Sequence, residues 1–395
     1  MTQKSTLPAF YSIVSLFTGL DMAIVICMVW FGLKTTGSTF LIGVTLCVAT
    51  VVPYLCQQLL TRYRRVELNL ARLFYIRLVA FCAILGLSFT DATVAPAGFL
   101  LIAFAVGVSS YFTNSTLEAK NTKLVLAGYT NSDTSSRFMQ TAIQIGAFSG
   151  ALLGGLIVDR FALDQALQII SATALVALLA IVLVGATPEA PTVAKGNTAS
   201  SRSQFANELP RHLIILIVVL SLIGFHIGAF NSLIPIVFQK LNEWNATRFG
   251  IASGLAGLGA FSAAVLPRIQ LKNYMAIALI LLADILLVYM HNLYLMMLAA
   301  FALGFSINSL RIQVRRALID ATSDARMADT IASKSALYYL LVSASAPMIL
   351  TFFTTSAFLG IAGARGLMIV AALLLGLAVL GWMASRQALP LPTAK

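Results

Sequence analysis

Four ionisable residues lie in apolar surroundings and are the first candidates for chemistry in this sequence. Asp21 and Asp284 are carboxylic acids, His226 is an imidazole and Arg77 is a guanidinium, and each has apolar neighbours on both sides. A charge in an apolar medium costs several kcal/mol unless it is paired, neutralised or hydrated. Groups of this kind serve proton transfer or ion recognition. Which of these roles each residue has depends on the helices that position it.

The composition identifies the medium as a lipid bilayer. Of the 395 residues, 59% are hydrophobic types and 10% are charged, and the mean hydropathy is +0.91. Soluble domains carry roughly 25% charged residues. This composition excludes a soluble enzyme and a disordered or fibrous chain. It also indicates that the net charge of +12 orients the chain in a membrane rather than binding nucleic acid.

Twelve apolar runs are long enough to cross a bilayer as helices, which needs roughly 20 residues each. They form two sets of six, so we predict a six-helix bundle over 1–187, a cytoplasmic linker over 188–211 and a second six-helix bundle over 212–395. The fold class is therefore all-α and integral to the membrane. The predicted spans are 8–33, 40–61, 70–90, 94–116, 138–159, 162–187, 212–238, 247–268, 272–291, 293–312, 329–355 and 363–385.

The distribution of Lys and Arg predicts the orientation. With the N-terminus inside, 20 of the 26 cationic residues fall on the cytoplasmic side and five on the other, while Arg77 lies within a span. Cytoplasmic loops are enriched in cations. We therefore expect a multi-pass protein of the inner (cytoplasmic) membrane with both termini in the cytoplasm.

The two sets of six helices also share sequence. Ala103–Ser109 in the fourth helix reads AFAVGVS, and Ala300–Ser306 in the tenth reads AFALGFS, 197 positions later. Two parallel six-helix repeats are the architecture of major facilitator transporters.

Three further stretches resemble the drug- and siderophore-exporter branches of the major facilitator superfamily. Lys34–Gly43 is similar to their external TGS turn, and Gly19-Leu20-Asp21 resembles their small-residue-plus-acid element in the first helix. Gly146–Gly155 matches the glycines of their fifth-helix motif GxxxGPxxGG, with Ala151 in place of proline. The resemblance implies a proton-coupled exporter that works by alternating access.

The fifth-helix glycines allow a neighbouring helix to approach closely, because positions i, i+4 and i+8 share one face. The resemblance adds a second role, a seam that resists leakage of protons or substrate; the two are compatible. The seam comprises Gly146, Gly150, Gly154 and Gly155.

Asp21 and His226 are the proton-coupling candidates. Asp21 lies midway through the first span, so we expect it to be protonated or to face a wet cavity. Imidazole titrates near neutral pH, and His226 occupies the corresponding position of the seventh helix when Gly224-Phe225-His226 is aligned with Gly19-Leu20-Asp21. We predict that the two face each other across a central cavity and share a proton. Ordinary helix-packing roles are the alternative for both.

The other polar residues have simpler expected roles. Asp284 is predicted to contact a neighbouring helix, and Arg77 to extend toward the cytoplasmic interface. Arg311 and Arg315 either anchor the cytoplasmic end or capture an anionic substrate. The substrate-cavity candidates of the fourth, seventh and tenth helices are Ser109, Tyr111, Asn114, Asn231, Asn308 and Arg311.

We therefore expect a secondary transporter, most simply a proton-coupled exporter of a siderophore or a drug-like amphiphile. An importer or exchanger of a small polar metabolite is the first alternative, and a non-transporting membrane receptor is the second. The sequence has no metal-site spacing among its four cysteines and no nucleotide-binding or hydrolase motif. We expect no metal, no cofactor and no enzymatic activity; the expected partners are a small molecule, protons and lipid, with the protein a monomer that binds no nucleic acid.

Overall fold

The computed structural model describes residues 3–63, 70–126, 129–184, 210–266, 271–320 and 325–387. Nearly all of the predicted linker, 188–211, lies outside these residues. The described chain contains twelve long α-helices: α1 (Gln3–Thr36), α2 (Thr39–Tyr63), α3 (Leu70–Leu87), α4 (Pro96–Leu126), α5 (Ser132–Arg160), α6 (Leu163–Val184), α7 (Arg211–Ile236), α8 (Ala246–Val265), α9 (Asn273–Tyr289), α10 (Leu293–Asp320), α11 (Ala325–Phe353) and α12 (Gly363–Gln387).

Every predicted span corresponds to one of these helices. Ten of them are long and apolar enough to cross a membrane, and α9 and α11 contain the shorter apolar stretches Asn273–Tyr289 and Leu337–Phe353. The helices often continue past the predicted ends, most clearly in α4 and α10, which extend to Leu126 and Asp320. Residues such as Arg311, predicted at a helix end, therefore lie well inside a helix.

The helices form two halves with the same internal arrangement. In the first half α1 packs on α5 and α2 on α4; in the second half α7 packs on α11 and α8 on α10. The two halves meet where α5 packs on α8 and where α2 packs on α11. Each half therefore offers the equivalent helices to the interface.

The repeated seven-residue stretch has the same packing role in both halves. A Cβ added at Gly107 would overlap the carbonyl oxygen of Ala49, and a Cβ added at Gly304 would overlap that of Ala256. Both alanines belong to the second helix of their half, so α4 contacts α2 as α10 contacts α8. The sequence repeat is therefore a structural repeat.

The halves are joined at one end of the bundle, which we call the far end: the end where α1 stops and α2 starts. There, Gln239 Nε2 donates to the carbonyl oxygen of Trp30 at 3.1 Å, and the Trp30 ring stacks on Phe249 with ring centroids 6.2 Å apart. Thr39 Oγ1 donates to the carbonyl oxygen of Thr351 at 3.5 Å. The two hydrogen bonds connect α1 with the π-helical turn Val237–Leu241 that follows α7, and α2 with α11.

Asp159 adds a contact between the halves at the same end. Its carboxylate, at the last turn of α5, accepts from the backbone N–H groups of Ala246 and Thr247 at 2.9 and 2.8 Å. These are the first residues of α8, where free N–H groups and the helix dipole favour a negative charge. The far end is therefore closed by polar bonds as well as by apolar contact.

Candidate functional site

A cavity of about 300 Å³ lies between the two halves. The first half contributes Met22 of α1 and two residues of α5, and α7, α8, α10 and α11 of the second half complete the wall. Gln144 of α5 lines it about four helical turns before Asp159, so the closed far end covers the cavity. Its polar lining residues are Gln144, Asn231, Ser253, Asn308, Arg311 and Tyr339.

Three of the six predicted cavity residues line this space: Asn231, Asn308 and Arg311. The three on α4 do not. The Ser109 hydroxyl is buried without a hydrogen-bond partner in the described chain. The Tyr111 ring lies edge-on to Phe112, with centroids 5.7 Å apart. Asn114 is exposed. Consecutive residues of a helix point about 100° apart, so a cluster in sequence does not become a cluster on one face.

Arg311 is held against an aromatic ring inside the cavity. Its guanidinium carbon lies 5.4 Å from the centre of the Tyr339 ring, within the range of a cation–π contact. Its Nε is buried and has no hydrogen-bond partner among the described residues. One turn earlier, Asn308 Nδ2 donates to the carbonyl oxygen of Ala260 at 2.6 Å, which fixes the amide beside the guanidinium.

Asp21 forms an ion pair and does not line the cavity, whereas the prediction was an acid that is protonated or faces a wet cavity. Arg77 of α3 donates to both of its carboxylate oxygens, with N–O distances of 2.9 and 3.1 Å. Ser110 Oγ of α4 donates to the same carboxylate at 2.7 Å. Arg77 also donates to Thr113 Oγ1 at 2.8 Å. The Asp21 carboxylate is therefore compensated by an ion pair and a third hydrogen bond within the first half.

The prediction that Arg77 extends toward the interface is wrong. Only 1% of the residue is exposed, and its guanidinium carbon lies 4.0 Å from the centre of the Phe17 ring and 5.0 Å from that of Phe81. Two aromatic faces and a bidentate carboxylate hold the charge more favourably than a long reach to water would.

His226 pairs with Asp284 instead of Asp21. His226 Nε2 and Asp284 Oδ2 are 2.7 Å apart, and both side chains are fully buried. This confirms that Asp284 contacts another helix. The predicted pairing of His226 with Asp21 is wrong. His226 faces α9 and Asp21 faces α3, which is the third helix of its half in each case, and neither residue lines the cavity.

The His226–Asp284 pair leaves half of its polar atoms unused. His226 Nδ1 and Asp284 Oδ1 are buried and have no hydrogen-bond partner in the described chain. The pair has one hydrogen bond where the Asp21 cluster has four polar contacts. A buried polar group without a partner costs free energy, so the polar atoms of this pair are less well satisfied than those of the Asp21 cluster.

The fifth-helix glycines pack as predicted, on two neighbours. A Cβ at Gly146 would overlap the Ser15 carbonyl oxygen, and one at Gly150 would overlap that of Gly19, so both glycines bring α5 against α1. Gly154 follows on the same face, with Ala23 3.0 Å from a Cβ placed there. Gly155 faces the other half, where the Ala246 carbonyl oxygen would lie 2.7 Å from its Cβ.

Solved structures share this arrangement across nearly the whole chain. A bacterial homolog of the human lysosomal transporter Spinster, in an inward-facing and unoccupied conformation, matches 97% of this chain and 97% of its own, with a TM-score of 0.66 and 13% identity. The nucleoside transporter NupG matches 98% of this chain and 100% of its own, with a TM-score of 0.68 and 13% identity. A mutant of NupG gives a TM-score of 0.70 over 96% of this chain and 99% of its own, again at 13% identity.

This likeness shows the fold. The chain is an all-α, multi-pass membrane protein with the major facilitator fold of two six-helix halves. No protein-family model matches the sequence, and no curated protein matches it.

Proposed function

We propose that the chain is a secondary active transporter that moves a small molecule by alternating access between its two halves. The observation that carries this proposal is the cavity lined by both halves and covered at the far end. Substrate sites of such transporters lie at the interface of the repeats near the membrane midplane. The residues that would contact substrate are Gln144, Asn231, Ser253, Asn308, Arg311 and Tyr339.

The described arrangement corresponds to the inward-facing state of the proposed cycle. The positive-inside rule assigns the far end to the outside of the cell, and that end is sealed by the Asp159 cap and the Gln239–Trp30 bond. The likeness to an inward-facing transporter structure supports the same assignment. In the outward-facing state these bonds would have to break, because they join the two halves.

We further propose that transport is coupled to protons and that the His226–Asp284 pair is the principal coupling site. Imidazole is the side chain that changes charge between about pH 5 and 8. Asp284 is the acidic partner that the described structure gives His226, while Tyr339 of α11 approaches α7 at Gly224 and Arg311 of α10 faces the cavity. Asp21 has a smaller part in this scheme, since its charge is already balanced by Arg77.

Export is the proposed direction, on the resemblance of the fifth-helix glycines to the exporter motif. The contacts of Gly150 with α1 and Gly155 with α8 support a sealing role, because the helix backbones approach too closely at these two positions to leave space for a side chain between them. Import or exchange of a small polar metabolite is the second candidate function. It is favoured by the two asparagines, one glutamine and one arginine of the cavity, a lining more polar than a drug-like amphiphile requires.

The test is transport by the purified chain in liposomes that contain a pH-sensitive dye. A panel of anionic, neutral and cationic solutes is added on one side, and proton movement that depends on both solute and protein is recorded. We expect at least one solute to cause proton movement through the protein. In a proton-coupled exporter, the protons would cross the membrane in the direction opposite to the solute. A chain that moves no solute in either membrane orientation would contradict the proposal and favour a receptor.

A locked variant provides the matched control for alternating access. Cysteines are placed at Thr39 and Thr351 after the four native cysteines have been replaced, and a short bifunctional reagent links them across the far end. We expect transport to stop when the pair is linked and to remain when either cysteine is present alone. Transport that continues through the linked protein would rule out movement of the two halves.

A further inference from the structure

Among the described residues, the lining of the central cavity contains one charged side chain, and it is positive. Among the residues that line it, Arg311 is the single member of the set Asp, Glu, Lys and Arg. The same protein shows what a buried guanidinium normally receives, since Arg77 has the Asp21 carboxylate, a threonine oxygen and two aromatic faces. Arg311 has the Tyr339 face and no acid beside it in the cavity wall. The described lining therefore contains no acid that compensates the charge of Arg311.

Two buried polar groups of this lining also lack partners. Arg311 Nε and Ser253 Oγ have no hydrogen-bond partner among the described residues, and both belong to side chains of the cavity wall. A buried donor without an acceptor costs about 1–3 kcal/mol, and more when it is charged. Anchoring at the membrane surface does not explain Arg311, because an anchoring arginine extends its head group into water.

We infer that Arg311 binds the carboxylate of a small organic monoanion, which is the substrate class of the transporter proposed above and rests on that proposal. A guanidinium presents its donors in a planar fork that matches the two oxygens of a carboxylate. One arginine balances one negative charge, whereas a dianion would leave an uncompensated charge in the cavity. Tyr339 supports one face of the guanidinium, which leaves its edge for the ligand.

The remaining wall selects the body of this anion. Met22, Ile227, Phe230, Leu303 and Ile307 make up the larger apolar side chains of the lining. A volume of about 300 Å³ lies at the small end of the range for ligand sites. The ligand is therefore a compact monocarboxylate with one apolar or aromatic group, held by Arg311 at one end and by this apolar wall at the other.

The first test measures the charge selectivity of the cavity without knowledge of the substrate. A cysteine replaces Asn231 in the chain whose native cysteines have been removed, and its rates of reaction with a negatively charged sulfonatoethyl thiosulfonate and a positively charged trimethylammonioethyl thiosulfonate are compared. We expect the ratio of anionic to cationic rate to fall about tenfold in Arg311→Gln, because a nearby fixed charge concentrates opposite charge in a cleft. Arg311→Lys should keep most of the ratio.

Arg316→Gln is the matched control for this measurement. Arg316 is exposed on the same helix and does not line the cavity, so its loss should leave the ratio unchanged. An unchanged ratio in Arg311→Gln would overturn the inference. A cysteine at position 231 that reacts with neither reagent would also overturn it, since the cavity would then admit no solute of either charge.

The second test uses ligands matched in shape and different in charge. Benzoate, benzamide and benzylamine, and the corresponding cyclohexyl compounds, are titrated into the purified chain while its unfolding temperature is recorded; a ligand that binds the folded state raises it. We expect a carboxylate to bind and its Kd to rise about tenfold to a hundredfold in Arg311→Gln. Equal binding of the amide or the amine, or no binding of either carboxylate, would overturn the inference.

The two proposals fail in different ways. Carboxylate binding that depends on Arg311, with no transport of the same compound, would leave the site intact and remove the transporter. Transport of a neutral or cationic solute that is unchanged in Arg311→Gln would keep the transporter and remove the site.

Discussion

The two halves of the molecule each contain a buried acid–base pair at corresponding places, but with the acid and the base exchanged. In the first half the acid is Asp21 on α1 and the base is Arg77 on α3. In the second half the base is His226 on α7 and the acid is Asp284 on α9. The members of the second pair lie 205 and 207 positions after those of the first. A common architecture thus holds two electrostatically different pairs.

The surroundings of the pairs differ as much as the pairs do. Ser110 and Thr113 of α4 bond to Asp21 and Arg77. The positions 197 residues later, in register with the repeated sequence of α4 and α10, are Ile307 and Leu310, which have no polar side-chain atoms. The hydroxyl groups that complete the first cluster are therefore absent at the equivalent positions of α10.

The aromatic support of the first pair is also absent at the two corresponding positions of the second half. Phe17 and Phe81 cover the faces of the Arg77 guanidinium. At the same offsets of 205 and 207 positions, the second half has Leu222 and Val288. A guanidinium needs such partners because it cannot lose its proton in a protein, whereas an imidazole can become neutral. The comparison shows a fully partnered ion pair in the first half, and it supports the proposal that the coupling site lies in the second half.

Removal of Arg77 should have the largest effect on stability. Arg77→Met leaves the Asp21 carboxylate buried without its counterion, and loss of one member of a buried pair costs about 3–5 kcal/mol. We expect that loss in the free energy of unfolding of the purified chain, measured by denaturant titration. The double variant Asp21→Leu with Arg77→Met should recover most of it, because no charge then remains. A single variant as stable as the wild type would show that the pair is not a structural element.

The next effect concerns the hydroxyl group that only the first half supplies. Ser110→Ala removes a hydrogen bond to an ionised carboxylate, which contributes about 1.5–3 kcal/mol. The preceding residue provides the control, since Ser109 is buried on the same helix and its hydroxyl has no partner in the described chain. We expect Ser109→Ala to cost less than about 0.5 kcal/mol. Equal losses in the two variants would contradict the assigned hydrogen bond.

The third prediction concerns the close helix contact that both halves share, at Gly107 and at Gly304. Gly107→Ala and Gly304→Ala each place a methyl group against the backbone of the second helix in its half, and such overpacking costs about 1–3 kcal/mol. We expect the two losses to agree within about 1 kcal/mol. Gly86→Ala is the control, because nothing lies within 4 Å of a Cβ at that position, and it should be neutral or stabilising. Unequal losses would indicate that the repeat is only a sequence similarity.

The sequence predicted the helices well because the bilayer imposes a length on every span. Each of the twelve predicted spans corresponds to one helix of the described chain, and the repeated stretch marks the contact between α4 and α2 and its counterpart between α10 and α8. The ends were less accurate, since α4 and α10 continue beyond the apolar run as polar helices. Apolar length indicates where a membrane helix lies, but it does not indicate where the helix stops.

The partners of the charged residues were not predicted, for a physical reason. Partner choice depends on which face of each helix carries the residue, and Asp21 was assigned to the cavity although the neighbouring Met22 lines it. A signal was present in the nearly equal offsets of the Asp21–His226 and Arg77–Asp284 positions. Each half has one acidic and one basic residue at corresponding positions. Because a structural repeat preserves the contacts within each half, this pattern indicates that each acid pairs with the base of its own half.

Substitution of Asp284 should have the smallest effect on stability and the largest effect on the coupling of transport to protons. Asp284→Asn keeps a hydrogen-bonding group beside His226 and removes a buried charge, so we expect the free energy of unfolding to change by about 1 kcal/mol or less. The pair can then no longer exchange a proton between a carboxylate and an imidazole. Transport measured between about pH 5 and 8 should therefore lose its dependence on pH in Asp284→Asn and in His226→Gln.

The decisive control for this prediction is the first half. Asp21→Asn with Arg77→Gln removes both charges of the ion pair in the first half, and we expect this variant to keep the wild-type dependence of transport on pH, whatever its stability. The reverse result, a pH profile that is flat in the Asp21 variant and normal in Asp284→Asn, would assign the proton to the first half. It would also mean that a carboxylate bound by a guanidinium exchanges protons more readily than one bound by an imidazole, which a permanently charged partner makes unfavourable.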